Sequence, residues 1–147
     1  DYAPLREGDR LGVPEWGMRK IRELIDVHLE NVKRALKLGV KMATGTDFSG
    51  GVGRHGENAE EIVIFVEKLG IRPEEALISA TRHAAAAAGL EDKSGAIARG
   101  YLADLVVVDG NPLDDVKVLK DVSRIKLVMR EGVILKDDLR GPAGKAA

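Results

Sequence analysis

Asp47 is the residue of this chain best placed to carry chemistry. It ends the stretch 40–47, whose apolar and small residues predict a buried β-strand, and a glycine-rich loop over 49–56 follows. A carboxylate at the carboxyl end of a strand, just before a loop, lies where α/β proteins place catalytic and ligand-binding groups. The alternative is that Asp47 forms a turn or caps a helix, and the local sequence alone does not decide between the two.

The face of the predicted strand that carries Asp47 has mostly small side chains. Side chains alternate along a strand, so Asp47 shares its face with Ala43 and Gly45, above Lys41. In a closed barrel this face would point inward. Its small residues would leave room for a metal or a ligand beside the carboxylate.

The loop after Asp47 contains two candidates for substrate binding, His55 and Arg54. A loop histidine at this position could contact a substrate, and an arginine could pair with a substrate carboxylate. The alternative is that both are solvated. The chain has only two other histidines, His28 and His83, and we expect a core or boundary position for the first and a structural or exposed position for the second. No histidine pair has the spacing of a multidentate zinc motif.

The glycines of this loop also match a dinucleotide-binding pattern. Residues 51–56 read G-x-G-x-x-G after a predicted strand and before a predicted helix. A nucleotide-binding fingerprint needs a tight turn directly into the helix and a second strand ending in an acid about 20 residues later. The sequence has neither feature. A nicotinamide-dependent oxidoreductase is therefore disfavoured, and a βα loop over the mouth of a site is the preferred interpretation.

Composition excludes several classes of protein. The 147 residues carry a net charge of −1 with both signs interspersed, which argues against a surface for nucleic acid or anionic membranes. The absence of cysteine excludes disulfides and thiolate metal sites. The length allows one domain or part of a larger one, and the first residue, Asp1, suggests an internal starting point. A cytoplasmic location is compatible with this composition.

Three helices are predicted around the Asp47 strand. Apolar residues recur at helical spacing over 17–38, and Gly39 is expected to end that helix. Asn58 and Glu61 have the spacing of a capping box at the start of a second helix. A third helix is predicted from Pro73 to Gly89, with a stripe of small residues at Ala76, Ala80, Ala84 and Ala88.

The last third of the chain has the pattern of a small β unit. Residues 105–108 form a short apolar run, and residues 126–130 alternate. Glu131-Gly132 is a plausible two-residue turn into a further strand at 133–135. Residues 111–121 are expected to form turns, and the tail over 138–147 is expected to be flexible.

Several segments together resemble one known family. They resemble the C-terminal third of metal-dependent amidohydrolases, in the imidazolonepropionase-like and prolidase-like (Xaa-Pro dipeptidase-like) subgroup. The segments, in chain order, are Thr44-Gly45-Thr46-Asp47, His55-Gly56-Glu57-Asn58, the run 73–81, the run 94–108 and Asn111-Pro112-Leu113-Asp114. The resemblance implies an α/β fold: residues 1–92 would be the last strand and helices of a (β/α)8 (TIM-like) barrel, and 93–137 the C-terminal strands of a small β-sandwich.

The resemblance also implies a role for Asp47. In that family the acid that ends the eighth barrel strand coordinates a divalent metal, expected to be zinc, and accepts the proton of the attacking water. A metal lowers the pKa of bound water towards about 7, and a nearby carboxylate can pass the proton to the leaving nitrogen. The substrate would be a small molecule with an amide or cyclic amide bond, or a dipeptide.

The family's other metal ligands are absent from this sequence. A complete barrel takes about 250 residues, so we expect a C-terminal fragment that is inactive alone and does not bind metal tightly. We also expect it to form homo-oligomers or to associate with the missing barrel half. The alternative from another functional class is a non-catalytic α/β module in which the loop 48–57 binds a small ligand.

Overall fold

The computed structural model describes residues 12–46 and 56–139. In these residues, helices come first and a small antiparallel sheet follows, as the sequence predicts. The helices are α1 (Glu15–Lys37), α2 (Glu60–Glu67), α3 (Pro73–Ala80) and α4 (Arg82–Ala87). The strands are β1 (Leu105–Val108), β2 (Ile125–Arg130) and β3 (Val133–Asp137), and two 3-10 turns, Val116–Lys120 and Val122–Arg124, lie between β1 and β2.

Helix α1 ends at the glycine that the sequence predicts. Gly39 has a φ of 80°, a left-handed conformation that costs glycine little. Its N–H bonds the carbonyl of Leu36 at 2.9 Å, and the Val40 N–H bonds that of Ala35 at 3.1 Å. This pair of bonds is a Schellman motif, which satisfies the last carbonyls of the helix. It sets the direction in which the chain leaves α1 towards Asp47.

Only part of the apolar face of α1 is covered, and its buried residue, Met18, lies near the N-terminal end. Leu36 packs against the core, whereas Leu24 is 57% exposed and His28 is also exposed. The prediction that His28 is a core or boundary residue was therefore wrong. Helical periodicity identifies an apolar face, but burial requires another element beside it.

The core lies between α2 and α3. Its buried centre consists of Phe65, Ile71 and the completely buried Ala76. Partly buried side chains pack around this centre; they are Leu36, Met42, Ile62, Val66 and Leu69. Met42 thereby connects the segment that precedes Asp47 to the core.

Residues 40–46 do not form the predicted strand. A strand needs a neighbour to bond its backbone groups, and β1, β2 and β3 pair only with one another in the part of the chain that the structure describes. The backbone of this segment bonds instead to helices α1 to α4. The strand prediction was wrong here because apolar composition cannot supply a pairing partner.

The third predicted helix is broken at Thr81. This residue has φ −123° and ψ −84°, which separates α3 from α4. Its hydroxyl donates to the Leu77 carbonyl at 2.7 Å, and its N–H bonds the carbonyl of Ile78 at 3.3 Å. The side chain thus takes the acceptor that a continuing helix would use. After the break Ala85 is buried, whereas Ala88 is exposed, so the predicted alanine stripe does not continue along one face.

The β unit matches its prediction. Strand β2 lies in the centre of the sheet, with β1 and β3 antiparallel to it, and Leu105 pairs with Met129. The hairpin turn has positive φ at both central residues, 50° at Glu131 and 82° at Gly132, as a type I′ turn requires. Local turn chemistry therefore predicted this element correctly.

The first 3-10 turn packs against α2 and carries two ion pairs to it. Lys117 Nζ lies 2.6 Å from a carboxylate oxygen of Glu67, and Lys120 pairs with Glu60. The hydrogen bond and charge of Lys117 lower the pKa of Glu67 below its ordinary value. Val63 on α2 and Val116 on the turn are both buried. The two ion pairs and these buried side chains join the 3-10 turn, which lies within the β unit, to α2.

Asp104 holds the start of β1 to the hairpin turn. Its carboxylate accepts from the Glu131 N–H at 2.8 Å and from the Ser94 hydroxyl at 2.9 Å. These two hydrogen bonds, in that order, lower the pKa of Asp104 below its ordinary value of 3.8. The ionised form is therefore favoured by folding.

We expect Asp104 to make the stability of the chain depend on pH. Because its pKa is lower in the folded state, the stabilisation is complete above pH 3.8 and is lost as the pH falls through and below that value. Asp104→Asn should lower the melting temperature at pH 7, and its deficit should shrink below pH 3.8, as thermal unfolding measures. Asp26→Asn, at an exposed position on α1, is the control; equal deficits of Asp104→Asn at pH 7 and pH 2 would contradict the expectation.

Candidate functional site

The segment that leads to Asp47 is fixed by the two short helices α3 and α4. The Thr44 N–H donates to the Ser79 carbonyl at 3.3 Å, and His83 Nδ1 lies 3.0 Å from the Met42 carbonyl oxygen. A carbonyl can only accept, so His83 Nδ1 carries the proton in this contact. The structural role expected for His83 is confirmed.

Glu61, on the first turn of α2, provides a further contact to this segment. Its carboxylate accepts from the Gly45 N–H at 2.8 Å, two positions before Asp47. Burial raises the pKa of Glu61 above its ordinary value, and the Gly45 hydrogen bond opposes that rise. A partly buried carboxyl group is costly to keep charged. A neutral side chain at this position would therefore cost less desolvation free energy.

Asn58 connects the two sides of the loop that contains the candidate residues. Its Nδ2 donates to the Thr46 hydroxyl at 3.1 Å, and its Oδ1 accepts from the Gly56 N–H at 3.3 Å. Thr46 and Gly56 directly flank the segment 47–55. One side chain therefore holds both ends of that segment at the start of α2.

The predicted capping box at Asn58 and Glu61 was wrong. The N-cap of α2 is Ala59, and no side chain bonds to the backbone there. The side chains of Asn58 and Glu61 bond instead to residues 45, 46 and 56. Groups distant in sequence competed successfully for the two side chains, and a local motif does not contain that information.

Sequence reasoning therefore missed the function of these two side chains in the fold. Helical spacing does not relate the two, because Asn58 precedes α2 and Glu61 lies on its first turn, so their shared contact with the segment that leads to Asp47 appears only in the fold.

The three residues predicted to do chemistry, Asp47, Arg54 and His55, lie outside the described residues. The structure places only their neighbours, Thr46 and Gly56, which Asn58 brings together. The sequence-based roles of all three remain predictions.

The described part of the chain does not by itself fit a metal ion. Residues 12–46 and 56–139 contain no group of three or more His, Asp or Glu side chains arranged to ligate one. Glu61 and Asn58 already bond to the backbone and hydroxyl groups named above. A metal centre would need ligands from outside these residues. Over the same ranges, none of the helices is both long and apolar enough to cross a bilayer.

Comparison with known proteins gives consistent matches over most of the chain. Residues 3–135 match the model of the Amidohydrolase family. Ochratoxinase from Aspergillus niger is 34% identical over 141 residues, which is 95% of this chain and 28% of that protein. Imidazolonepropionase from Klebsiella pneumoniae is 37% identical over 73 residues, 50% of this chain and 18% of that protein.

Solved structures give the same result. A prolidase crystallised with N-methylphosphonate-L-proline superposes with a TM-score of 0.80 at 35% identity, covering 92% of this chain and 32% of that chain. The resemblance to imidazolonepropionases and prolidases is confirmed. The chain spans less than a third of the length of each of these relatives.

Proposed function

This chain belongs to the amidohydrolase family, and we propose that it is the C-terminal part of a metal-dependent enzyme that hydrolyses a carbon–nitrogen bond. The observation that carries the proposal is the family match over residues 3–135, which includes the Asp47 segment and every motif of the resemblance. The hydrolases among its relatives act on different molecules, so the match supports a reaction class before it supports a substrate.

Asp47 is proposed as the catalytic carboxylate and as a ligand of the metal. It follows a segment whose backbone is fixed at Met42, Thr44 and Gly45 by contacts of 2.8 to 3.3 Å. A carboxylate on a fixed backbone can accept a proton from water and return it to a leaving nitrogen. The rigid support favours this role over that of a simple turn residue.

His55 and Arg54 are proposed to bind the substrate. They directly precede Gly56, whose N–H bonds to Asn58. Asn58 also bonds to Thr46, the residue before Asp47 in the sequence. This arrangement supports a location of both residues close to the reacting group. Arg54 would pair with a carboxylate of the substrate, and His55 would orient a polar group.

A divalent metal, with zinc as the expected ion, is part of the proposal through family membership. When bound, such a metal polarises a carbonyl oxygen and makes water more acidic. Because no cluster of three ligands occurs in the described residues, Asp47 would need further ligands from outside those residues.

The proposed architecture is the last part of a (β/α)8 barrel over 1–92, followed by the C-terminal strands of a β-sandwich over 93–137. Exposed apolar side chains on both parts support it. Leu24 and Val27 of α1 are each 57% exposed, and Val106 and Leu135 of the sheet are 58% and 64% exposed. Such surfaces suit association with the rest of a barrel or with a second copy of the chain.

The substrate class we propose is a small molecule with an amide or cyclic amide bond, or a dipeptide. Two solved relatives support the dipeptide: a prolidase with a phosphonate analogue that contains L-proline, and a Xaa-Pro dipeptidase with bound methionine. Specificity in such barrels depends on several βα loops, of which this chain holds few.

The test is hydrolysis by the full-length protein whose reading frame carries these 147 residues. Purified with zinc, it should hydrolyse Xaa-Pro dipeptides or N-acyl amino acids, and removal of the metal by a chelator should abolish turnover, which zinc should restore. The isolated chain should be inactive. Turnover that survives complete metal removal, or robust turnover by the isolated chain, would contradict the proposal. Ligand binding without hydrolysis would favour the non-catalytic module.

A further inference from the structure

A stripe of three residues on α2 faces the first 3-10 turn. Glu60, Val63 and Glu67 stand at positions i, i+3 and i+7, so they lie on one face of the helix. The turn Val116–Lys120 packs against this helix, and both Val63 and Val116 are buried. The stripe therefore has an apolar centre with one carboxylate at each end of α2.

Two lysines of the turn match the two carboxylates of the stripe. Lys117 Nζ lies 2.6 Å from Glu67 Oε1 at the last residue of α2, and Lys120 pairs with Glu60 at the first. The hydrogen bond between Lys117 and Glu67, followed by their opposite charges, lowers the pKa of Glu67 and raises the pKa of Lys117. One turn of the β unit thus meets both ends of α2 with charges of the opposite sign.

The helix that carries the stripe is short. It has eight residues, and no side chain bonds to the backbone at its N-cap. A helix of this length is marginal in water and depends on the packing of its sides. Phe65, on the face opposite the stripe, lies in the buried core. The core therefore holds one side of α2 through apolar contacts, whereas the turn holds the other side largely through charge.

We propose that the stripe and the turn form an electrostatic joint, which fixes the β unit against α2 and loosens as the ionic strength rises. The apolar centre brings the two surfaces together, and the ion pairs on either side of it set their register. Both surfaces lie within the described residues of this chain. The joint is therefore independent of whether the full-length protein hydrolyses a carbon–nitrogen bond.

Salt tests the joint in the unaltered full-length protein. The screening length falls from about 10 Å at about 0.1 M NaCl to about 3 Å at about 1 M, so partly exposed ion pairs weaken. Hydrogen exchange of peptides covering 60–67 and 116–120 should become about 2- to 10-fold faster over this range, because each exposed pair contributes modestly. Exchange of a peptide covering 125–137 should not change, since backbone hydrogen bonds hold the sheet.

Charge variants separate an ionic joint from simple packing. Lys117→Glu places two carboxylates together, and exchange of residues 60–67 in low salt should then be at least as fast as in the wild-type protein in high salt. Adding Glu67→Lys to this variant restores opposite charges and should recover most of the protection. Lys33→Glu is the matched control, because Lys33 pairs with Glu30 within α1, and it should keep wild-type exchange of both peptides.

Two results would overturn the proposal. One is equal exchange of residues 60–67 and 116–120 at the two salt concentrations. The other is a charge-swapped variant that exchanges as fast as Lys117→Glu alone, because the pair would then contribute packing rather than charge. If the sheet peptide also exchanges faster in Lys117→Glu, that variant has lost its fold, and the two salt concentrations applied to the wild-type protein decide.

Discussion

Asp47→Asn in the full-length protein is expected to lower kcat for amide hydrolysis by about 10²- to 10⁴-fold, the range over which a positioned acid–base group acts. Asparagine keeps the size of aspartate and can still accept a hydrogen bond. Its amide oxygen is too weakly basic to take a proton from water. The effect should therefore appear in kcat, with the fold unchanged.

The supporting contacts make this variant informative. Met42, Thr44 and Gly45 are fixed by His83, Ser79 and Glu61, so an isosteric change at position 47 should leave the backbone in place. Zinc content should also fall in Asp47→Asn, because a neutral amide is a poorer ligand than a carboxylate. Steady-state kinetics and metal analysis of one preparation measure both effects.

The control for this prediction is Asp92→Asn, an isosteric change in an exposed turn outside the proposed site. It should leave kcat, KM and zinc content at wild-type values. Unaltered turnover in Asp47→Asn would remove Asp47 from the mechanism, and the proposed site would then have to be sought elsewhere in the chain.

The elements that the sequence predicted correctly are those specified by adjacent residues. The Glu131-Gly132 hairpin needs only two residues that adopt positive φ between two apolar strands. The ends of α1 and α2 follow from Gly39 and Gly70, whose φ values are 80° and 71°. In each case the information lies within a few positions of the feature.

The elements that it predicted incorrectly depend on partners distant in sequence. Residues 40–46 have strand composition but no neighbouring strand in the described ranges. Glu61 matches a capping motif, yet its carboxylate bonds to Gly45, 16 positions earlier. The break at Thr81 is the exception, because its cause is local: helix propensity favours continuation, but the Thr81 hydroxyl takes the Leu77 carbonyl and ends α3.

The candidate site was predicted only in part for the same reason. Position and residue type made Asp47 the candidate, and its role stays a prediction, whereas the groups that hold the segment before it lie on α2, α3 and α4. A different contact joins the chain before the β unit to the helices: Gly95 lies against the break between α3 and α4.

Gly95→Ala is expected to destabilise the chain by about 2–5 kcal/mol, from two separate costs. Gly95 has a φ of 83°, a conformation that costs an L-residue about 1–2 kcal/mol. A Cβ at this position would also lie 2.8 Å from Ala85 Cβ and 2.8 Å from the Thr81 carbonyl oxygen. Overpacking of this kind adds about 1–3 kcal/mol.

The close approach cannot be relieved cheaply, because the contacted atoms are fixed. The Thr81 carbonyl accepts the Ala85 N–H at 2.8 Å in the first turn of α4, and Ala85 is buried. The neighbour of Gly95, Ser94, donates to Asp104, which in turn accepts from Glu131 of the hairpin. A shift of residue 95 would therefore disturb the helix break on one side and the sheet on the other.

Gly100→Ala separates the two costs of Gly95→Ala. Gly100 has nearly the same φ, 88°, but nothing lies within 4 Å of a Cβ built there. Denaturant unfolding of both variants should give a loss of about 1–2 kcal/mol for Gly100→Ala. The loss for Gly95→Ala should be larger by the overpacking cost. Equal losses would mean that a Cβ at residue 95 does not overpack against α4. The connection between the β unit and the helix break would then have to depend on other contacts.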